Sequence, residues 1–86
     1  MTSIQDVVTA AHRVKTSSEG VLHRTVVSAD MLRQNAGKLE AVVKGSRTGE
    51  QAVKEVRVAE RALRDCATKL LTMQKDIDNF IKDLTS

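Results

Sequence analysis

Apolar residues recur at alternating intervals of four and three positions throughout the second half of the chain, and this spacing constrains the fold most strongly. At such intervals the side chains line up along one side of an α-helix, as in helices that pack lengthwise on one another. The pattern predicts a helix over about residues 50–84. The apolar row consists of Ala52, Val56, Ala59, Leu63, Cys66, Leu70, Met73, Ile77, Phe80 and Leu84.

The first half follows the same interval, although three places in its row are polar. The row consists of Ile4, Val8, Ala11, Lys15, Ser18, Leu22, Thr25, Ala29, Leu32, Ala36, Leu39 and Val43. Residues 15–20 are its weakest part, and they fit either a loop between two helices or the soft middle of one helix. The apolar phase is the same on both sides of this stretch, and a loop would have no reason to preserve it. We therefore favour one helix over about residues 3–44.

A glycine-rich connection separates the two rows, and we expect a turn over residues 45–49. Gly45 suits the left-handed residue that ends many helices, and Thr48 is a typical N-cap with Gln51 as its capping-box partner. A short connection makes successive helices antiparallel neighbours. The expected fold is therefore all-α, with residues 1–86 forming a single domain, an antiparallel helix–turn–helix hairpin. The residues assigned to the turn are Val43, Gly45 and Gly49.

The composition argues against several other classes of protein. The chain has no Pro, Trp or Tyr and only one Phe, whereas an all-β domain needs aromatic and turn-forming residues. The single Cys leaves no internal disulfide, and no run of about 18 apolar residues could span a membrane. Motifs for catalysis or metal binding are absent, so we expect no enzyme activity, no cofactor and no metal. Acidic residues alternate with the basic ones, and no aromatic residue lies among them, which argues against a nucleic-acid partner.

Two helices alone cannot enclose a core, so we expect part of each apolar surface to bind another protein. Additional apolar residues widen both rows: Val7, Val14, Val21 and Val42 in the first half, and Val53, Ala62, Leu71 and Ile81 in the second. The pattern predicts a four-helix bundle, completed by a second copy or by another helical protein. We assign pairing and core packing to Val8, Leu22, Leu32, Leu39, Val56, Leu63, Leu70, Met73, Ile77 and Phe80. We expect Cys66 to be buried in the same row as a small hydrophobic residue.

The C-terminal stretch, residues 76–86, combines the only aromatic residue of the chain with three acids. Phe80 and Asp83 lie about one turn apart on the same side of the predicted helix. An acid near a helix C-terminus opposes the helix dipole, and a role in recognition would explain its presence. The alternative is that Phe80 is the last large residue of the buried row.

The layout of the chain resembles the small Trp-x-Gly (WXG) proteins of bacterial type VII secretion and the related small helical partners of LXG toxins. The resemblance covers nearly the whole chain. Val43-Lys44-Gly45 occupies the place of Trp-x-Gly, with the Gly but not the Trp. Phe80 and Asp83 resemble the C-terminal aromatic and acidic signal of these proteins, with two residues between them where the family usually has three.

This resemblance implies a helical hairpin that pairs as a homodimer or a heterodimer, for example with the N-terminal region of an LXG toxin. It further implies that the protein is made in the bacterial cytoplasm and is exported without a cleaved signal peptide. In that case the chain is a secreted substrate, or a targeting partner or chaperone of the toxin, and Phe80 and Asp83 form the export or recognition signal. The alternative is a cytosolic coiled-coil structural or adaptor module that is not exported.

Overall fold

The computed structural model describes residues 2–86, which form a long antiparallel hairpin of two α-helices. Helix α1 spans Ile4–Val42 and helix α2 spans Arg47–Thr85, so each contains 39 residues. The hairpin measures 64 × 20 × 15 Å, and no β-strand occurs within the described residues. The all-α fold and the hairpin predicted from the sequence are confirmed.

Helix α1 runs without interruption through residues 15–20, as the unbroken apolar phase indicated. It begins with a capping box in which the Ser3 hydroxyl accepts a hydrogen bond from the Asp6 amide and the Asp6 carboxylate accepts one from the Ser3 amide. These bonds satisfy two backbone donors that would otherwise lack partners in the first turn. The polar residues of this stretch therefore lie inside a helix, and the loop interpretation is wrong.

The turn between the helices is shorter than predicted and lies earlier in the chain. Helix α2 starts at Arg47 with Ser46 as its N-cap, whose hydroxyl accepts a hydrogen bond from the Gly49 amide at 3.1 Å. The prediction of Thr48 as the N-cap is therefore wrong. Gly45 has a φ of +85°, as expected of a left-handed residue after a helix. At Gly49, an added Cβ would lie 2.5 Å from the Cβ of Val43, so only glycine allows the helices to approach this closely.

The row predicted for the first helix is the one that faces α2. Its residues from Val8 onward are buried or half-buried, while Ile4 at the start is exposed. Ala29 and Ala36 are completely buried, and the polar residues Ser18 and Thr25 are buried as well. The small side chains in the middle of this row permit a close approach of the two helices.

The row of α2 that faces α1 is rotated by one position from the prediction. Five predicted residues lie in it: Val56, Leu63, Leu70, Ile77 and Leu84. The intervening places are taken by Val53, Glu60, Ala67, Gln74 and Ile81 rather than by the preceding residues. Cys66 is exposed, so its predicted burial is wrong. Phe80 is also exposed, and Met73, although half-buried, lies with it in the row beside the one that faces α1.

Candidate partner-binding face

The contact between the two helices, here called the seam, has a different surface on each of its two sides. Within the seam, every residue that the rows above place in contact falls at heptad position a or d, with Val8 and Val53 at position a. Because the helices are antiparallel, the e positions of both lie on one side of the seam and the g positions of both lie on the other. The pair Arg57 and Glu40, each at position e, joins the helices at 2.8 Å and identifies the e side.

Ion pairs between the helices line the e side, which we call the charged flank. Lys15 Nζ lies 2.7 Å from Asp78 Oδ1, and Arg64 Nη2 lies 3.0 Å from Asp30 Oδ1. The carboxylates of these pairs are more than half exposed, so each pair contributes little to stability. The charged flank therefore adds little to the free energy that holds the two helices together.

These ion pairs also favour the charged forms of the bases. The hydrogen bond that Lys15 donates to Asp78 raises the pKa of Lys15 above its ordinary value of 10.5. Hydrogen bonds to Glu60 and then Asp30 raise the pKa of the Arg64 guanidinium in the same way. Both groups are therefore cations at any physiological pH.

Apolar residues line the g side, which we call the apolar flank. Val14 and Phe80 are each about half exposed, at 52% and 48%, and Val42 is exposed to 78%. The apolar flank consists of Val14, Val21 and Val42 of α1 and of Ala52, Ala59, Cys66, Met73 and Phe80 of α2, and Ser28 and Asn35 lie between Val21 and Val42 in its α1 row. Since the hairpin leaves all of these side chains exposed except Met73, which is half-buried, they form a surface of the kind that binds another protein.

The seam contains polar side chains while larger apolar ones remain outside it. The Gln74 amide donates a hydrogen bond to the Ser18 hydroxyl at 3.0 Å, and that hydroxyl donates to the Lys15 carbonyl at 2.6 Å. Glu60, whose side chain is 13% exposed, is paired with Arg64 at 2.8 Å. No buried side-chain nitrogen or oxygen among residues 2–86 lacks a partner. The hairpin therefore accommodates polar groups in its seam and leaves Met73 and Phe80 free for another contact.

The predicted pairing residues are divided between the seam and the apolar flank. Val8, Leu22, Leu32, Leu39, Val56, Leu63, Leu70 and Ile77 are half-buried in the seam, and Met73 and Phe80 belong to the apolar flank. Asp83 is exposed about one turn after Phe80. Sequence reasoning missed Glu60 and Gln74 as seam residues. The only indication in the sequence that a different row of α2 faces α1 is the set of additional apolar residues that widen the predicted row, above all Val53 and Ile81.

The remaining surface of residues 2–86 offers no group of three or more His, Cys, Asp or Glu side chains that could hold a metal ion. None of the helices in this part of the chain combines the length and apolarity needed to cross a bilayer. A depression of about 520 Å³ on α1 is lined by Thr9, His12, Arg13, Thr16 and Ser17 and contains no carboxylate or thiol. The apolar flank is therefore the strongest candidate for a functional site.

Comparisons with protein-family models, with curated proteins and with solved structures found no match to this chain.

Proposed function

We propose that this chain is a small non-catalytic helical protein that binds another helical protein through its apolar flank and thereby completes a four-helix bundle. The observation that carries the proposal is the choice of α2 residues in the seam. Glu60 and Gln74 occupy seam places, while Met73 and Phe80 lie beside the seam at exposed or half-exposed positions. A helix in a four-helix bundle contacts two neighbours and needs a wider apolar stripe than a two-stranded seam does.

A surface variant and a matched control test this binding role. Met73→Glu places a charge in the apolar flank, and Leu71→Glu places the same charge on the charged flank, where Leu71 is 55% exposed. We expect both variants to keep the helical circular dichroism of the parent chain, because neither residue is buried in the seam. Only Met73→Glu should abolish association measured by sedimentation velocity and chemical crosslinking. If the parent chain associates and both variants associate equally well, the apolar flank is not the binding surface.

We further propose that the protein serves bacterial type VII secretion, either as a secreted substrate or as a targeting partner of an LXG toxin. The resemblance of its layout supports this role, as does the accessibility of Phe80 and Asp83 near the end of α2. The chain would act in the cytoplasm and leave the cell by a route that needs no signal peptide. Its partner would then be the helical N-terminal region of the toxin, a second copy of the chain, or each of these in turn.

Co-expression with an LXG toxin fragment encoded beside this chain tests the secretion role. Asp83→Asn leaves the seam and the apolar flank unchanged, so it should preserve pairing and folding but reduce export of the pair. Asp76→Asn, a change of another exposed acid of α2, is the control and should leave export unchanged. If export is unaffected by Asp83→Asn, or if no toxin is encoded nearby, the alternative of a cytosolic adaptor module is favoured.

A further inference from the structure

We propose that the charged flank, in the half of the hairpin nearest the turn, docks on an anionic phospholipid surface, with the hairpin lying on the bilayer and not entering it. This surface differs from the one in the proposed function, and the proposal does not depend on that function. It is based on how the basic residues are distributed around the two helices. The apolar flank lies on the opposite side of the seam, so a bilayer and a protein partner can be bound at the same time.

Basic and acidic residues that alternate along the sequence lie on different sides of helix α2. Lys54 is followed by Glu55, and Lys75 is followed by Asp76, but successive side chains of a helix point about 100° apart. The bases fall at heptad position b, next to the charged flank, and the acids fall at position c, next to the apolar flank. The b row of α2 therefore contains no acid and consists of Arg47, Lys54, Arg61, Thr68, Lys75 and Lys82.

The charged flank and the b positions beside it carry more positive charge than the chain as a whole. The b and e positions of the two heptad patterns hold nine basic and four acidic side chains, whereas the rest of the chain holds five basic and seven acidic ones. The excess lies in the half nearest the turn, in a region that we call the basic patch. Its acids are Asp30 and Glu40, and its bases are Arg33, Lys44, Arg47, Lys54, Arg57, Arg61 and Arg64.

The two acids of the basic patch are already paired with two of its bases. Glu40 binds Arg57 at 2.8 Å, and Asp30 binds Arg64 at 3.0 Å. The ion pairs among residues 2–86 include none of the other five bases, all of which are exposed: Arg33, Lys44, Arg47, Lys54 and Arg61. These side chains give the basic patch a positive charge that nothing in the described chain neutralises, so it attracts anions.

The basic patch extends across both helices near the turn. Lys44, just after α1, and Lys54 of α2 line one depression of about 480 Å³, whose other lining residues are Glu40, Glu50, Val53 and Arg57. Along α2 the patch runs from the first residue of the helix to Arg64, or about 26 Å at a rise of about 1.5 Å per residue. The cations therefore cover an area and not a single line, which suits a flat surface with mobile charges.

A lipid surface fits the basic patch better than a nucleic acid does. The hairpin is 20 × 15 Å in cross-section, so it is too thick to enter the major groove of duplex DNA, which is about 12 Å wide. Phe80, the only aromatic residue, lies on the apolar flank, so no ring in the patch can stack on the bases of a single strand. Clusters of about four to eight Lys and Arg residues on a helix are typical of binding to anionic lipids.

An exposed apolar residue beside the basic patch also favours a bilayer. Val58 is 49% exposed and lies between Lys54 and Arg61 on the outer surface of α2. The boundary between headgroups and acyl chains accommodates an apolar side chain next to lysine and arginine. A phosphate backbone offers such a side chain no comparable contact. Val58 therefore adds an apolar contact that is specific to a lipid surface.

Co-sedimentation with vesicles tests the proposal through two matched double variants. Lys54→Gln with Arg61→Gln removes two unpaired cations from the basic patch, and Arg24→Gln with Lys69→Gln removes one arginine and one lysine from exposed c positions on the other side of the hairpin. None of these residues lies in the seam, so both variants should keep the helical circular dichroism of the parent chain.

We expect the parent chain to bind vesicles of equal parts phosphatidylcholine and phosphatidylglycerol, and not vesicles of phosphatidylcholine alone. The variant of the basic patch should bind the anionic vesicles at least about tenfold more weakly, whereas the control variant should bind them nearly as tightly as the parent chain. Binding should also weaken as salt is added, because salt screens the attraction between exposed charges.

Four outcomes would overturn the proposal. Failure of the parent chain to bind anionic vesicles would exclude a lipid surface as the occupant. Equal weakening in both variants would show that net charge matters and the basic patch does not. Equally tight binding to phosphatidylcholine alone would show an apolar contact in place of an electrostatic one. Binding of duplex DNA in place of vesicles, lost in the variant of the basic patch, would assign the patch to nucleic acid.

The same variants separate this proposal from the proposed function. Lys54→Gln with Arg61→Gln should associate like the parent chain in sedimentation velocity, because both residues lie away from the apolar flank. Met73→Glu should still bind anionic vesicles, because it leaves the basic patch unchanged. A result against one of the two surfaces therefore leaves the test of the other intact.

Discussion

Two neighbouring rows of helix α2 have opposite roles although they differ by only one position in the sequence. The seam row contains Glu60 and Gln74, whereas the row beside it, in the apolar flank, contains Met73 and Phe80. If the hairpin were optimised for its own stability alone, the more apolar row would lie in the seam, because each buried methylene contributes about 0.8 kcal/mol. This difference is the basis of the proposal that the more apolar row is kept for a second contact.

The seam and the two flanks also differ in what holds them together. The seam is stabilised by burial of small and branched side chains, with Ala29 and Ala36 fully buried. The charged flank is joined by exposed ion pairs, which are weak individually and sensitive to salt. The apolar flank is mostly exposed, so few contacts within the hairpin stabilise it. Changes in these three places should therefore have effects of clearly different size.

We expect the largest effect from a charge in the seam. Leu63→Asp puts a carboxylate between the helices at a half-buried position, where the lost packing and the unpaired charge together cost about 3 kcal/mol or more. The cooperative thermal transition, followed by circular dichroism, should be lost or greatly lowered. Leu71→Asp, on the charged flank, is the control and should melt like the parent chain. An unchanged transition in Leu63→Asp would contradict the assigned seam.

A smaller but more discriminating effect is expected from two adjacent residues, one in each row. Ile81→Ala removes packing from the seam and should lower hairpin stability by about 1–2 kcal/mol. Phe80→Ala removes an aromatic ring from the apolar flank and should leave the melting temperature at low concentration nearly unchanged. The parent chain should melt at a higher temperature as its concentration rises, because association stabilises the folded state. Phe80→Ala should lose that dependence and Ile81→Ala should keep it.

The sequence predicts the fold well because the periodicity of α1 and α2 is almost unbroken. The predicted row of α1 is the observed one from Val8 onward, including its polar members Ser18 and Thr25. Continuity of the apolar phase also correctly placed residues 15–20 inside a helix. These features are local, so they depend on helix geometry alone and not on the partner helix.

The rotation of α2 could not be predicted in the same way, because it depends on contacts between distant residues. Gln74 enters the seam where Ser18 offers it a hydrogen bond, and Glu60 enters beside Arg64, which also reaches Asp30 on α1. Counting apolar residues along α2 predicts that Met73 and Phe80 lie in the seam rather than these polar residues. The candidate binding face follows from this rotation and therefore could be located only in the structure, whereas the width of the apolar rows had led us to predict a partner from the sequence.

A stabilising substitution sharpens the comparison of the two rows. Glu60→Leu replaces a mostly buried, ion-paired carboxylate with an apolar side chain, and such exchanges are neutral or stabilising by about 1 kcal/mol or more. We expect the melting temperature of the hairpin to rise and its association to be unchanged, since Glu60 does not belong to the apolar flank. The exposed neighbour Arg61→Leu serves as a control for added apolarity alone. A loss of stability in Glu60→Leu would mean that its pair with Arg64 has a larger structural role than its exposure indicates.

The smallest expected effect concerns the charged flank at high pH. The pKa of Lys15 is raised above 10.5 in the folded chain by its hydrogen bond to Asp78, so the folded state holds this proton more tightly than the unfolded state does. The stabilisation is complete below the unfolded pKa and is lost as pH rises through the folded pKa, in the alkaline range above about 10.5. In Lys15→Arg the guanidinium stays charged over that range, so this variant should retain stability that the parent chain loses. Melting temperatures of the two chains, measured from neutral to strongly alkaline pH, should therefore diverge only at the alkaline end. Parallel curves would show that the Lys15–Asp78 pair adds nothing to the stability of the hairpin.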